Sequence, residues 1–194
     1  MAIPARLRNP LALIALLAGC AGGPQAPDWQ ANASRALSNF QRLYLAGRTP
    51  AAEAEFRLVR SELARTGRAE LLARAELVRC GVRAASLEID DCPGFERLRY
   101  GAGAEEIAYA DYLAGKSPGR TSDEPLSRLV AYAVQLKTGA IVPSGIAAAV
   151  DIASAQGWRR PLLAWLGVQL KRAEEAGDSD AAAQLRKRIE LVSE

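Results

Sequence analysis

The chain reads as an all-α protein: about eight antiparallel helices, forming either stacked helical hairpins or a compact bundle. Three observations predict this. Alanine accounts for 39 of the 194 residues, and together with Leu, Arg and Glu it gives a composition dominated by strong helix formers. Apolar residues recur at steps of three and four, whereas Val, Ile and Thr seldom alternate as they would in strands. Glycine and proline fall where helix ends and starts require them. Gly47, Gly67, Gly115, Gly139, Gly157 and Gly177 lie just past apolar-periodic stretches, and Pro50, Pro125, Pro143 and Pro161 lie near starts.

Each stretch carries its own stripe. Residues 29–46 place Ala33, Leu37, Phe40 and Tyr44 on one face, and 50–66 place Phe56, Val59 and Leu63 together. Residues 68–87 align Leu71, Ala75, Val78, Val82 and Ala85. Ile107, Ala110 and Ala114 follow in 103–114, then Leu126, Leu129, Ala133 and Leu136 in 125–138. Ile146, Val150 and Ala153 mark 144–156, and Leu162, Leu166, Leu170 and Ala173 mark 160–176. Ala182, Leu185, Ile189 and Val192 close the series in 179–193. Each is an amphipathic helix with one face for a core. Thr49 before Pro50 and Asp178 before Ser179 are N-cap candidates. The short turns between stretches make consecutive helices antiparallel neighbours.

Residues 40–65 carry a further pattern. Leu43 and Tyr44 end a first helix, Gly47-Arg48-Thr49-Pro50 turns, and Ala52 and Phe56 follow at small-then-aromatic spacing. This loosely resembles a tetratricopeptide repeat, and 160–193 has the same helix-turn-helix shape around Ala176-Gly177-Asp178. The Trp-Leu-Gly-Tyr signature of that family's first helix is absent, and no strict 34-residue period runs through the chain. The resemblance therefore implies stacked helical hairpins as an architecture. The polar, breaker-rich stretch 115–124 reads as a loop between two halves, roughly 28–115 and 123–194. Its Gly115-Lys116-Ser117 lacks the upstream glycine of a phosphate-binding loop.

The amino terminus has a different character. Arg6 and Arg8 precede an apolar run of eight, Leu11 to Ala18, too short to span a bilayer, and Leu17-Ala18-Gly19-Cys20 follows. Basic start, apolar run, small pair and cysteine resemble the signal peptide and lipobox of bacterial lipoproteins. The resemblance implies cleavage before Cys20, a diacylglycerol on its thiol and, with Ala21 next, delivery to the outer membrane facing the periplasm. Two or three acyl chains suffice for stable anchoring. Residues 1–19 are then a signal peptide, 20–28 the lipidated cysteine and a Gly/Pro-rich tether, and 29–194 a single helical domain.

Charge and composition exclude several classes. The composition, 49% hydrophobic and 24% charged, is that of a folding chain. Formal net charge is +3, and without Arg6 and Arg8 the chain has 23 basic and 22 acidic residues, no footprint for nucleic acid. There is no histidine, which removes His-based nucleophile pairs and histidine-containing zinc sites. With Cys20 consumed by lipid, Cys80 and Cys92 remain as an even pair in an oxidising compartment, and a disulfide across their 13-residue loop is expected. A redox pair would sit at C-x-x-C spacing.

Several residues are candidates for function. Trp158, Arg159 and Arg160, near Trp165, offer an aromatic–arginine patch for a partner, or else Trp165 packs in the core and Trp158 covers a turn. Tyr109 and Tyr112 share a helix with Glu105, Glu106 and Asp111; acids in a first turn also suit the helix dipole. Glu88, Asp90 and Asp91 lie in the disulfide loop without EF-hand spacing. No metal site, catalytic set or cofactor beyond the lipid on Cys20 is expected. The reading that follows is a non-enzymatic interaction scaffold whose partners are the membrane and an envelope protein. The alternatives are a carrier of a small apolar ligand and a carboxylate-based envelope enzyme. A carrier needs a closed apolar cavity and an enzyme two convergent carboxylates, whereas a scaffold needs a polar-rimmed apolar groove and no acid of raised pKa.

Overall fold

The computed structural model describes residues 27–119 and 122–194. The expected signal peptide, Cys20 and most of the tether lie outside the described residues. Within them the chain is all-α, with no strand. The helices are α1 (Asp28–Leu45), α2 (Thr49–Ala64), α3 (Ala69–Ala85), α4 (Pro93–Glu96), α5 (Ala104–Leu113), α6 (Pro125–Lys137), α7 (Pro143–Ala155), α8 (Arg159–Glu175) and α9 (Ser179–Ser193). Eight of them match the eight amphipathic stretches. The ninth, α4, and a 3-10 turn at Arg99–Gly101 occupy a segment read as loop. They are too short for a helical period to show, and one side chain, the fully buried Phe95, anchors α4.

The turns are built as the glycines suggested. At Gly47, φ is +82°, and the chain reverses with Arg48 N–H donating to the Leu43 carbonyl at 2.8 Å. This bond and the Gly47 N–H to the Tyr44 carbonyl at 2.9 Å close a Schellman turn. Asp178 caps α9 through its side chain, accepting from Ala181 N–H at 2.9 Å. Thr49 does not cap α2: it is the first helical residue, and its hydroxyl serves Arg160 instead. The end of α3 is the exception to the glycine rule. Leu87 takes the left-handed conformation there, φ +61°, while Glu88 N–H donates to the Arg83 carbonyl at 3.0 Å. A leucine in this region costs about 1 kcal/mol, so the surrounding packing imposes the turn that presents Glu88.

Consecutive helices pair along the chain, α1 with α2, α6 with α7, α7 with α8 and α8 with α9. The departure is α3, which also packs on α1, α4, α5 and α6. Two buried cores meet on it. One holds Phe40, Tyr44, Phe56, Val59, Ala75 and Val82; the other holds Leu77, Phe95, Leu129, Ile146, Trp165 and Leu166. The division between halves therefore falls along α3 and not at residues 115–124. The stripe Leu71, Ala75, Val78, Val82 and Ala85 predicts the first contact, and only Ala85 at its end reaches the second core. A second apolar face, Ala73, Leu77, Cys80 and Ala84, meets the other core, and the charged residues Glu70, Arg74, Glu76, Arg79 and Arg83 lie between the two faces.

Candidate functional site

The first concentration of polar contacts fastens the two cores together. Arg160, in the first turn of α8, reaches the carboxyl end of α1. Its Nε donates to the Tyr44 carbonyl at 2.9 Å, one Nη to Glu88 Oε1 at 2.7 Å, and the other to the Thr49 hydroxyl. The guanidinium lies 4.3 Å from the centroid of the Tyr44 ring, a cation–π contact. The Tyr44 hydroxyl donates to Glu88 Oε2 at 2.5 Å. On the same loop Asp90 Oδ2 accepts from Arg83 of α3 at 2.5 Å, and Asp90 Oδ1 accepts from Cys92 N–H at 3.0 Å.

Charge states follow from these partners. Burial, then the hydrogen bond to Glu88 and its negative charge, push the Tyr44 phenol up to about 12, so it stays a donor. Burial pushes the Glu88 carboxyl up, but the hydrogen bonds from Tyr44 and Arg160 and the charges of Arg160 and Arg83 outweigh it and hold the carboxyl below its ordinary value. A depressed carboxyl contributes stability that is full above its unfolded value near 4.5 and lost as pH falls through the lower folded value. Arg160→Ala is expected to cost about 2 kcal/mol at pH 7, since charge-assisted bonds are removed from a site only partly screened by solvent. Urea denaturation should show the gap to the parent protein narrowing as pH drops below 4.5.

Cys80 and Cys92 are joined in a disulfide with Cα atoms 5.8 Å apart, as the spacing suggested. The sulfurs and an Asp90 oxygen lie within 4.8 Å of one another. Each sulfur is bonded to its partner, and the Asp90 oxygens are engaged by Arg83 and by the Cys92 N–H. The group offers no thiolate to an ion and acts as a loop staple.

A second concentration of features lies along α3. A cleft of about 280 Å³ opens between α1, α3, α5 and α6, with Leu77, Val78, Val82, Leu126 and Val130 in its lining. Gln41, Arg74, Tyr109 and three carboxylates complete it: Glu105, Glu106 and Glu124. Tyr109 crosses α3 at Gly81, where a Cβ would come within 2.7 Å of its hydroxyl; glycine there is what lets α5 bring the ring over the cleft. Of the three carboxylates, one is held in an ion pair and one caps a helix. Arg74 places Nε and Nη at 2.9 and 2.6 Å from Glu106 Oε1, and this hydrogen bonding, with backbone N–H groups, holds Glu106 below the usual range. Glu124 accepts from Ser127 N–H at 2.7 Å, capping α6. A general acid needs a raised pKa, and Glu106 is shifted the opposite way.

A neighbouring hollow of about 450 Å³ lies between α1, α2 and α3, with Trp29, Leu37, Leu63, Leu71 and Arg68 in its lining. The two share Arg74, and Leu37 and Gln41, one turn apart on α1, line one each. Together they form a groove along the α1–α3 seam with an apolar floor and a charged rim.

The five residues offered as a partner surface are divided between two places. Tyr112 is buried, its ring centroid 6.1 Å from that of Tyr109, and only Tyr109 reaches the cleft. Trp158 is half-buried against both cores, covering the α7–α8 turn, and Trp165 is fully buried. Arg160 is spent on the internal fastening, and Arg159 donates to the Ser193 carbonyl at the end of α9. The groove residues Trp29, Arg68 and Arg74 are not singled out by the sequence, and Leu37 reads there as part of a core-facing stripe. Trp29 at a helix start beside the tether was the available signal. Searches of protein-family models, curated proteins and solved structures give no match to this chain.

Proposed function

We propose that the chain is a lipid-anchored envelope protein whose helices serve as an interaction scaffold. The observation that carries the scaffold is the open α1–α3 groove, apolar in its floor and charged along its rim, with the Glu106 carboxyl held below the usual range by Arg74. An open groove of this kind suits a protein segment; acid–base chemistry and enclosure of a small apolar ligand each ask for a different cavity. The anchor rests on Arg6, Arg8, the Leu11–Ala18 run and Leu17-Ala18-Gly19-Cys20. The placement at the outer membrane, facing the periplasm, rests on Ala21 after the cysteine. No helix among the described residues is long and apolar enough to cross a membrane.

The test is Cys20→Ser. In cells fed a labelled fatty acid, the variant is expected to lose all label and to leave the membrane fraction, while the parent chain keeps both. Unchanged fractionation, or a purified native polypeptide that begins upstream of Cys20, overturns the anchor.

A further inference from the structure

We propose that Cys80, Cys92 and Asp90 form a zinc site when the bond between the two cysteines is reduced, so that a Zn²⁺ ion takes over the staple of the loop after α3. The inference goes beyond the scaffold reading and does not depend on the lipid anchor. It rests on a donor set that the fold already gathers: both sulfurs and an Asp90 oxygen lie within 4.8 Å of one another. Zinc takes thiolate sulfur at about 2.3 Å and carboxylate oxygen at about 2.0–2.2 Å, so neighbouring donors around one tetrahedral ion stand about 3.5–3.8 Å apart. Cys80 is fixed within α3 and Cys92 stands at the start of α4, with their Cα atoms 5.8 Å apart. Once the S–S bond opens, turning about the Cα–Cβ bonds brings the sulfurs to that spacing. Two thiolates with one carboxylate suit zinc, whereas calcium and magnesium take oxygen ligands.

The neighbours of Asp90 support it as a ligand. Its Oδ1 accepts from the Cys92 N–H and its Oδ2 from Arg83. Each carboxylate oxygen has a second lone pair, so Asp90 can bind the ion while both bonds hold it in place, the outer support that metal-bound carboxylates have. Two thiolates, one carboxylate and Zn²⁺ leave a single negative charge, which Arg83 offsets. A polar hollow of about 510 Å³ opens on Cys92 and Asp90 and gives the ion and water a way in. Glu96 and Asp111 in its lining are held by Arg99, so the fourth position falls to water. Cys92, the cysteine that lines the hollow, is where a dithiol reductant attacks. A thiolate of the reductant bonds to the Cys92 sulfur as the S–S bond breaks and Cys80 leaves as thiolate. The reductant's second thiolate then displaces Cys92; the pair has gained two electrons and the reductant ends as a disulfide. Zn²⁺ binds the two thiolates, and any protons they had taken up pass to solvent.

The test uses the full chain in detergent micelles, reduced with a phosphine, freed of it under nitrogen and titrated with Co²⁺, a coloured stand-in for zinc. A thiolate-to-cobalt charge-transfer absorption is expected to rise and saturate at one ion per chain, and Zn²⁺ should abolish it. The unreduced chain should show none. Cys20→Ser should leave the absorption unchanged, and Cys80→Ser should remove it. Asp90→Asn keeps the shape of the side chain without its charge and is expected to weaken Zn²⁺ binding about tenfold or more. Urea denaturation reads the staple itself. Zn²⁺ should recover about half or more of the midpoint shift that reduction causes in the parent chain, and none in the chain carrying Cys80→Ser with Cys92→Ser. A reduced chain that is unfolded in metal-free buffer should refold on adding the ion. No saturable absorption, an absorption that survives Cys80→Ser, or an affinity for Zn²⁺ in Asp90→Asn within about twofold of the parent's overturns the site.

Discussion

Replacing Trp165 by Ala is expected to lower the unfolding free energy by about 3–5 kcal/mol, the range for deleting a large buried aromatic. The indole is fully buried in the core that joins α3 to α6, α7 and α8. It also performs a task that volume alone does not describe. Its Nε1 donates to the Ala85 carbonyl at 3.1 Å, and Ala85 is the last residue of α3. The final carbonyls of a helix have no intrahelical donor, so Trp165 from α8 satisfies one of them inside a core that excludes water. Trp165→Phe keeps most of the ring but removes the donor, and is expected to cost about 1–3 kcal/mol. Urea denaturation followed by far-ultraviolet circular dichroism separates the variants. A loss for Trp165→Phe below 0.5 kcal/mol would show that the Ala85 bond contributes nothing net.

What could be read from the residues was local. Helix starts and ends were legible because prolines and left-handed glycines act on their own turns, and Gly47 and Asp178 do what their types dictate. The disulfide was legible because two cysteines remained once Cys20 was set aside. The role of α3 was not. Its second apolar face, Ala73, Leu77, Cys80 and Ala84, is made mostly of small residues, and nothing in the order Leu71 to Ala85 says that five helices will share the helix. The end of α3 was hidden for a related reason: Leu87 occupies a position where six other turns use glycine, because packing overrides a conformational cost of about 1 kcal/mol. The candidate site was less legible still. Arg160 meets Tyr44 across 116 positions, and the groove is lined by residues that five helices bring together from distant parts of the chain. Composition does predict that Trp158 and Trp165 are apolar enough to bury, but whether a tryptophan faces a partner or a core is decided by its neighbours in space.

Removing the disulfide by Cys80→Ser with Cys92→Ser is expected to cost about 3 kcal/mol, the chain-entropy value for a loop of this length, since the bonded residues are 12 positions apart. The loop it closes carries Glu88 and Asp90, so the staple and the Arg160 fastening are one assembly. Arg83, on α3, holds Asp90, and Glu88 gathers Tyr44 from α1 and Arg160 from α8. Once the loop is free, Glu88 has no fixed place to receive Arg160, and the loss from Arg160→Ala should shrink in the disulfide-free background. A double-mutant cycle measures that coupling, expected at about 1 kcal/mol, and an additive result within 0.3 kcal/mol would separate the staple from the fastening. Reductant should destabilise the parent chain by the same amount as the double serine variant and leave that variant unchanged. A protein whose two cores are fastened through a disulfide-held loop is most stable where thiols are oxidised. A parent chain equally stable with and without reductant would remove that link between its structure and its place in the cell.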